Sequence, residues 1–147
     1  ELDAIEAELS RDDTATGRRQ AAIARAARPS LEAKDLAWAE MMDRTDLPNA
    51  ILEATIAGFV QADQADLLSH FRSRFFAEIV RAWDSQTMEM GQSLVMGLYP
   101  SLVVDAKTIR ETDEFLARDD LNPALRRLVI EGRDGVSRSM RARAADA

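Results

Sequence analysis

One pattern recurs along the whole sequence: apolar residues stand three and four positions apart, and short polar or proline-containing breaks interrupt them. This spacing places the apolar side chains on one face of an α-helix. The clearest example predicts a helix of about five turns, the longest in the chain, and consists of Leu67, Leu68, Phe71, Phe75, Ile79 and Trp83. The chain is therefore predicted to be all-α.

Helix boundaries can be predicted from the breaks and from residues that cap helix ends. The main boundary signals are Asp12-Asp13, Arg28-Pro29, Ser30, Ser85, Asp105 and Asn122-Pro123. They divide the chain into about eight helices with short links, so consecutive helices are expected to be antiparallel neighbours. We predict one helical-repeat domain over residues 1–147, an α-solenoid of stacked hairpins. A compact helical bundle is the competing architecture.

The residues that are missing limit the possible chemistry. Cysteine is absent, which excludes disulfides, cysteine-bound zinc, iron–sulfur clusters and a thiol nucleophile within this sequence. His70 is the only histidine, so a two-histidine metal site is also excluded. No apolar run reaches the about 18 residues of a membrane span, and no signal-peptide pattern opens the chain. These features favour a cytoplasmic location.

Arginine is concentrated at the end of an otherwise acidic chain. The net charge is −7, which argues against general nucleic-acid binding, yet residues 122–147 carry +3. Arg126, Arg127 and Arg133 lie within two turns of the last predicted helix and can present paired donors to a carboxylate, such as a peptide C-terminus. The other interpretation is a solvated face that neutralises an acidic neighbour or a helix C-terminus.

The remaining conspicuous residues are interpreted as structural. The aromatic stripe Phe71, Phe75, Phe76 and Trp83 is predicted to be core, and the methionines Met88, Met90 and Met96 are predicted to fill packing gaps. His70 is predicted to be a partly exposed helix residue rather than a catalytic one. Acidic pairs such as Asp119-Asp120 stand at predicted helix ends, and carboxylates near helix N-termini complement the helix dipole.

Several stretches, taken in order, resemble the C-terminal part of bacterial aminopeptidase N, in a domain also found in the endoplasmic-reticulum aminopeptidases. The stretches are Ile5–Leu9, Arg11–Arg18, Ala50–Phe59, Gly97–Pro100 and Leu125–Arg133. The resemblance implies a right-handed superhelix of HEAT/armadillo-like antiparallel helix pairs. It also implies a parent enzyme that removes N-terminal residues from peptides, with its zinc site in an upstream thermolysin-like catalytic domain.

From the resemblance we expect a non-catalytic accessory domain that caps the active-site cavity and controls peptide access. Its expected partners are its own upstream catalytic domain and the peptide substrate, with no nucleic acid and no membrane. The expected cofactor is zinc in the upstream domain and none in this chain. Arg126, Arg127 and Arg133 are the candidate residues facing the cavity. The alternative is an independent helical-repeat module that binds a protein partner; an enzyme built on acidic residues alone is disfavoured.

Overall fold

The computed structural model describes all residues from 1 to 147 and is helical throughout, without strands. The prediction of an all-α chain with about eight helices is confirmed. Eight helices have ten or more residues, and a ninth, α5, is a single turn. They are α1 (Leu2–Arg11), α2 (Ala15–Ala27), α3 (Leu31–Asp43), α4 (Asn49–Phe59), α5 (Ala65–Leu68), α6 (Arg72–Ser85), α7 (Met88–Leu98), α8 (Ala106–Leu116) and α9 (Pro123–Ala145).

The chain divides into two compact units, which we call the N-terminal unit (residues 1–67) and the C-terminal unit (residues 68–147). In the N-terminal unit α2 packs against α1, α3 and α4. In the C-terminal unit α6 packs against α7 and α8, and α9 packs against α7 and α8. The superhelical arrangement and the single domain over residues 1–147 stay predictions.

Most of the predicted caps are present. The Ser30 hydroxyl accepts a hydrogen bond from the Ala33 amide at 3.2 Å, and Asp105 Oδ1 accepts one from the Thr108 amide at 2.8 Å. Asn122 Oδ1 accepts from the Ala124 amide at 2.8 Å. Each of these bonds satisfies an amide that a helix start leaves without an intrahelical acceptor.

The prediction that Ser85 caps a helix is wrong. Ser85 is the last residue of α6, and its hydroxyl donates to the carbonyl of Ala82 at 3.1 Å. The N-cap of α7 is Thr87, whose hydroxyl accepts from the Met90 amide at 3.3 Å. Thr87 has the extended backbone of an N-cap, so the break between the two helices lies two residues later than predicted.

The predicted five-turn helix is interrupted. A 3₁₀ turn at Ser69–Phe71 separates α5 from α6, so the longest helix is instead α9, with 23 residues. The tighter turn keeps side chains three residues apart in line, and the apolar stripe therefore continues through the interruption. His70 lies in this turn and is exposed.

Two burial predictions are also wrong. Met90 is buried, but Met88 is 56% exposed and Met96 is 72% exposed, so neither fills a gap in the core. The spacing of eight residues places Met88 and Met96 on the outer face of α7, because α7 turns its Met90, Leu94 and Leu98 face inward. The aromatic stripe is mainly buried as predicted, with Phe71, Phe75 and Trp83 in the core.

The N-terminal unit is built around a close crossing of α2 and α4. A Cβ at Gly58 would lie 2.2 Å from the carbonyl oxygen of Ile23 and 3.0 Å from the Cβ of Ala26, so only glycine allows this approach. Ala22 and Ala26 of α2 are buried at the crossing, together with Ala54 of α4. Small residues therefore bring the two backbones together, much as they do where helices pack tightly elsewhere.

Lys34 is fully buried in the same unit. Its Nζ donates to the carbonyls of Ala26 at 2.7 Å and Phe59 at 3.0 Å, and it reaches the carbonyl of Gly58 at 3.4 Å. These carbonyls are at the C-terminal ends of α2 and α4, where a cation satisfies acceptors that the helices leave open. Burial lowers the pKa of Lys34 to about 8, and the charge of Asp63 partly opposes that shift.

The C-terminal unit has an aromatic core instead. The ring centroid of Phe75 lies 5.2 Å from that of Phe76 and 5.7 Å from that of Tyr99, both edge-to-face. The ring centroids of Phe76 and Phe115 lie 5.5 Å apart. The Tyr99 ring lies against α9 at Gly132, where a Cβ would come within 2.6 Å of the ring. The packing of α6, α8 and α9 around these rings positions the arginines described next.

Candidate functional site

Arg126, Arg127 and Arg133 all lie on α9, and the structure gives each a different environment. Arg126 is half-buried. Its Nη1 donates to the carbonyl of Leu116 at 2.6 Å, and its Nη2 donates to the carbonyl of Arg118. Both carbonyls are at the C-terminal end of α8, so the guanidinium caps that helix and complements its dipole. Arg126 therefore fastens the start of α9 to the end of α8.

Arg133 forms a two-pronged ion pair with Asp113 of α8. Its Nε donates to Asp113 Oδ1 at 2.5 Å and its Nη2 donates to Oδ2 at 3.1 Å. This geometry fits the planar guanidinium to a carboxylate. The hydrogen bonds from Arg133 lower the pKa of the Asp113 carboxyl and raise the pKa of the arginine. Arg133 thus holds the middle of α9 against α8 and carries a charge that is already matched.

Arg127 is directed towards solvent. Its side chain is 65% exposed, and Nη1 lies 3.8 Å from Glu131 Oε1, one turn further along α9. An exposed i, i+4 pair at this distance is weak and easily exchanged. Of the three candidate arginines, Arg127 is therefore the one whose donors are accessible to an external carboxylate.

Arg127 belongs to an exposed stripe that runs along α9, spaced alternately by four and three residues. Its charged members are Arg127, Glu131, Asp134, Arg138 and Arg141. Arg138 and Arg141 are exposed and form no ion pair, which makes them further accessible cations on this face. The stripe offers guanidinium donors of the kind that suits the binding of carboxylates. Arg126 and Arg133 were predicted in preference to Arg138 and Arg141, because helical spacing alone does not show which arginines find internal partners.

A second charged network in the C-terminal unit was not predicted. Arg72 of α6 donates to Asp105 Oδ2 at 2.9 Å, and its Nε lies 3.6 Å from Glu111 Oε2. The Ser73 hydroxyl donates to the same Glu111 carboxylate at 2.8 Å. Lys107 lies 3.8 Å from Glu111 as well. The contacts of Arg72 and Ser73 with Asp105 and Glu111 connect α6 to the start of α8, and their separation of more than 30 residues leaves no local signal in the sequence.

No three histidine, aspartate or glutamate side chains are grouped so that they can hold a metal ion. The donor set of this chain therefore does not fit the zinc that the resemblance implies for the parent enzyme. None of the helices combines the length and the apolar character needed to traverse a bilayer.

Comparison with known proteins gives two matches. The family model of the ERAP1-like C-terminal domain matches residues 1–138. Aminopeptidase N of Streptomyces lividans is 50% identical over 143 residues, an alignment that covers 97% of this chain and 17% of that protein. The chain thus spans about a sixth of the length of the relative that it matches. The resemblance found in the sequence is confirmed, and the chain belongs to the family of ERAP1-like C-terminal domains.

Proposed function

We propose that this chain is the non-catalytic C-terminal accessory domain of a zinc aminopeptidase N. In this role it caps the active-site cavity and controls which peptides reach the site where N-terminal residues are removed. The observation that carries the proposal is the 50% identity to Aminopeptidase N over 97% of this chain, which corresponds to only 17% of that protein. Most of such a parent polypeptide lies outside these residues and has room for a catalytic domain.

In this proposal the zinc belongs to the upstream catalytic domain. The chain's one histidine, His70, is exposed, and no cluster of possible metal ligands accompanies it. What the chain contributes is a helical wall. Such a wall selects by shape, because an enclosed cavity admits extended peptides and rejects folded proteins. Closure of a domain over a site also removes water and holds substrate, although the closing domain supplies no reacting group.

Peptide carboxylates are the proposed ligands of the arginine-bearing face of α9. Arg127 has the most accessible guanidinium of the three candidates, whereas the guanidinium of Arg126 is bound to helix-end carbonyls and that of Arg133 is paired with Asp113. Charge reversal at Arg127 in the parent enzyme tests this role with peptides that have free or amidated C-termini. The charge-matched control is Arg19→Glu in the N-terminal unit. A loss of kcat/KM confined to the free carboxylates supports the role, and equal effects on both substrates contradict it.

Removal of these 147 residues from the parent enzyme tests the control of access. We expect the truncated enzyme to retain zinc and to cleave an aminoacyl p-nitroanilide, whose small size needs no selection. It should also begin to trim exposed N-termini of folded proteins, which the intact enzyme leaves uncut. Unchanged discrimination between extended peptides and folded proteins would contradict the proposal. The proposal also places the parent in the cytoplasm, which fractionation of the source cells would check.

A further inference from the structure

The exposed stripe of α9 carries its charges in a definite order. Arg127 stands at one end, Glu131 and Asp134 follow in the middle, and Arg138 and Arg141 stand at the other end. Eleven residues make almost three complete helical turns, so Arg138 lies nearly in line with Arg127. The buried side chains of α9 are on the opposite side of the helix. One solvent-facing surface therefore presents cation, anions and cation in succession.

The two ends of the stripe keep their donors for an external group. At one end Arg127 Nη1 lies 3.8 Å from Glu131 Oε1, and both side chains are more than 60% exposed. At the other end Arg138 and Arg141 are exposed and form no ion pair, although Asp134 stands one turn before Arg138. Arg133, on the neighbouring face, already binds Asp113. The stripe is thus the part of α9 where guanidinium groups remain available.

The spacing along the stripe corresponds to a definite spacing along an extended peptide. At a rise of about 1.5 Å per residue, Arg138 and Arg141 lie about 16 and 21 Å along the helix from Arg127. The two acidic residues lie about 6 to 10 Å from Arg127. An extended peptide advances about 3.3 Å per residue. The two basic ends therefore match groups five or six peptide residues apart, and the acidic middle matches a group two or three residues from one end.

We propose that the stripe selects peptide substrates by the order of their charges, an inference that rests on the proposed function. The preferred peptide has an acidic side chain five or six residues before its free C-terminal carboxylate and a basic side chain two or three residues before it. The terminal carboxylate binds Arg127, the acidic side chain binds Arg138 or Arg141, and the basic side chain faces the acidic middle. Guanidinium groups suit both carboxylates because they offer paired donors.

The alternating order favours such a peptide over a uniformly acidic surface. The N-terminal unit of a second copy is strongly acidic, with 14 aspartates and glutamates against 7 arginines and lysines. An acidic surface laid along the stripe would be attracted at its ends but repelled by Glu131 and Asp134. A peptide that carries a cation between two anions meets attraction along the whole stripe.

Two nonapeptides of identical composition test the inference in the parent enzyme. Both have leucine at the N-terminus, a free C-terminus, one glutamate, one lysine and otherwise alanine. In the matched peptide glutamate stands five residues and lysine two residues before the C-terminal residue, and in the exchanged peptide the two are swapped. Initial rates of leucine release should give the matched peptide at least about a threefold higher kcat/KM, because the exchanged peptide places like charges together. Salt at about 0.5 M should remove most of the preference.

Arg138→Gln combined with Arg141→Gln should bring the ratio of the two kcat/KM values close to one. The charge-matched control combines Arg19→Gln and Arg110→Gln, two exposed positions outside the stripe, and should keep the native ratio. Equal kcat/KM values in the native enzyme, or a preference that survives loss of both stripe arginines, would overturn the inference.

Light scattering and activity separate the remaining outcomes. A dimer mass that disappears in the variant lacking Arg138 and Arg141 would identify a second copy as the occupant and would also overturn the inference. An enzyme that cleaves both nonapeptides equally well refutes only the selection by charge order. A folded parent without aminopeptidase activity refutes the proposed function.

Discussion

The two units are both built from packed helices but are stabilised in different ways. In the N-terminal unit two helix backbones touch at Gly58, and the buried ammonium of Lys34 joins the ends of α2 and α4. In the C-terminal unit aromatic rings fill the space between helices, and ion pairs such as Arg133–Asp113 connect their surfaces. At the crossing the atoms that an added methyl group would meet are backbone and cannot rotate away, whereas exposed ion pairs allow some adjustment.

Charge separates the units as well. The N-terminal unit carries −7, while the C-terminal unit has 12 acidic and 12 basic side chains and is neutral. Its basic residues therefore have enough acidic neighbours to pair within the unit, and Arg72 and Arg133 do so. The lesson for the arginines of α9 is that number and spacing do not identify a binding residue. Whether each guanidinium already has a partner decides its accessibility.

The largest expected effect is a loss of stability at the backbone crossing. Gly58→Ala places a methyl group 2.2 Å from the carbonyl oxygen of Ile23, which is backbone and cannot rotate away. We expect unfolding free energy to fall by roughly 2–4 kcal/mol, because the helices must separate to accommodate the group. Urea denaturation followed by circular dichroism measures it. A loss below about 0.5 kcal/mol would show that the crossing adjusts to the added methyl group.

The matched control is Gly135→Ala in α9. No atom lies closer than 3.9 Å to the added Cβ there, and that atom is the mobile end of Arg138. Because alanine restricts the unfolded chain more than glycine does, this variant should be more stable by about 0.5–1 kcal/mol. Opposite signs for two chemically identical substitutions would attribute the loss at Gly58 to the close crossing of α2 and α4.

The next effect concerns the buried lysine. Lys34→Met removes an ammonium that satisfies helix-end carbonyls, and leaves those of Ala26 and Phe59 without that donor. We expect a loss of about 1–3 kcal/mol, the usual cost of leaving buried polar groups unsatisfied. Lys107→Met is the control, since the Lys107 side chain is 54% exposed, and its effect should be within about 0.5 kcal/mol. Equal effects of the two substitutions would show that the hydrogen bonds of Lys34 do not stabilise the N-terminal unit.

The same lysine predicts a dependence on pH. Its pKa is about 8 in the folded chain and near 10.5 in the unfolded chain. Between these values the unfolded state binds more protons, so unfolding free energy should rise with pH in that window and stay level below it. The difference between the native chain and Lys34→Met, measured by denaturation at pH 7 and pH 9.5, isolates this contribution. A difference that shrinks with rising pH would contradict the burial-driven shift.

The smallest expected effect comes from the exposed ion pair of the C-terminal unit. Asp113→Asn removes the carboxylate that Arg133 binds, and we expect a loss of only about 0.2–1 kcal/mol because both partners contact solvent. The pKa of Asp113 is lowered in the folded chain, so its contribution is present above its ordinary value and is lost as pH falls through the lowered one. Asp119→Asn is the control, and molar salt should abolish most of the difference.

Local features of the fold were predictable, and long-range ones were not. The caps Ser30, Asp105 and Asn122 satisfy amides within three residues, so neighbouring letters of the sequence reveal them. The 3₁₀ turn before α6 changes the hydrogen-bond spacing without changing the apolar stripe, and the stripe therefore misled the prediction. The burial of Lys34 depends on a hydrogen bond to the carbonyl of Phe59, which is 25 residues away. The residues next to Lys34 in the sequence give no sign of such a distant partner.

In the candidate site, too, the shared helix could be predicted from the sequence but the distant partners could not. The concentration of arginine on the last helix was visible in the sequence, but the partners of Arg126 and Arg133 lie 10 and 20 residues away on α8. Helical spacing correctly grouped the residues on one element and could not decide between solvent and an internal carboxylate. The family resemblance came from the order of several short stretches, and it identified the domain although none of them carries chemistry.

The burial of Lys34 has a practical consequence, because the chain has only two lysines. Lys107 is open to solvent, so an amine-directed reagent modifies it at once, whereas Lys34 becomes reactive only when α2 and α4 release its ammonium. Modification of Lys107 therefore reports how much of the protein has met the reagent, and modification of Lys34 reports how often the N-terminal unit opens. The ratio of the two modified peptides in a mass spectrum would report that opening.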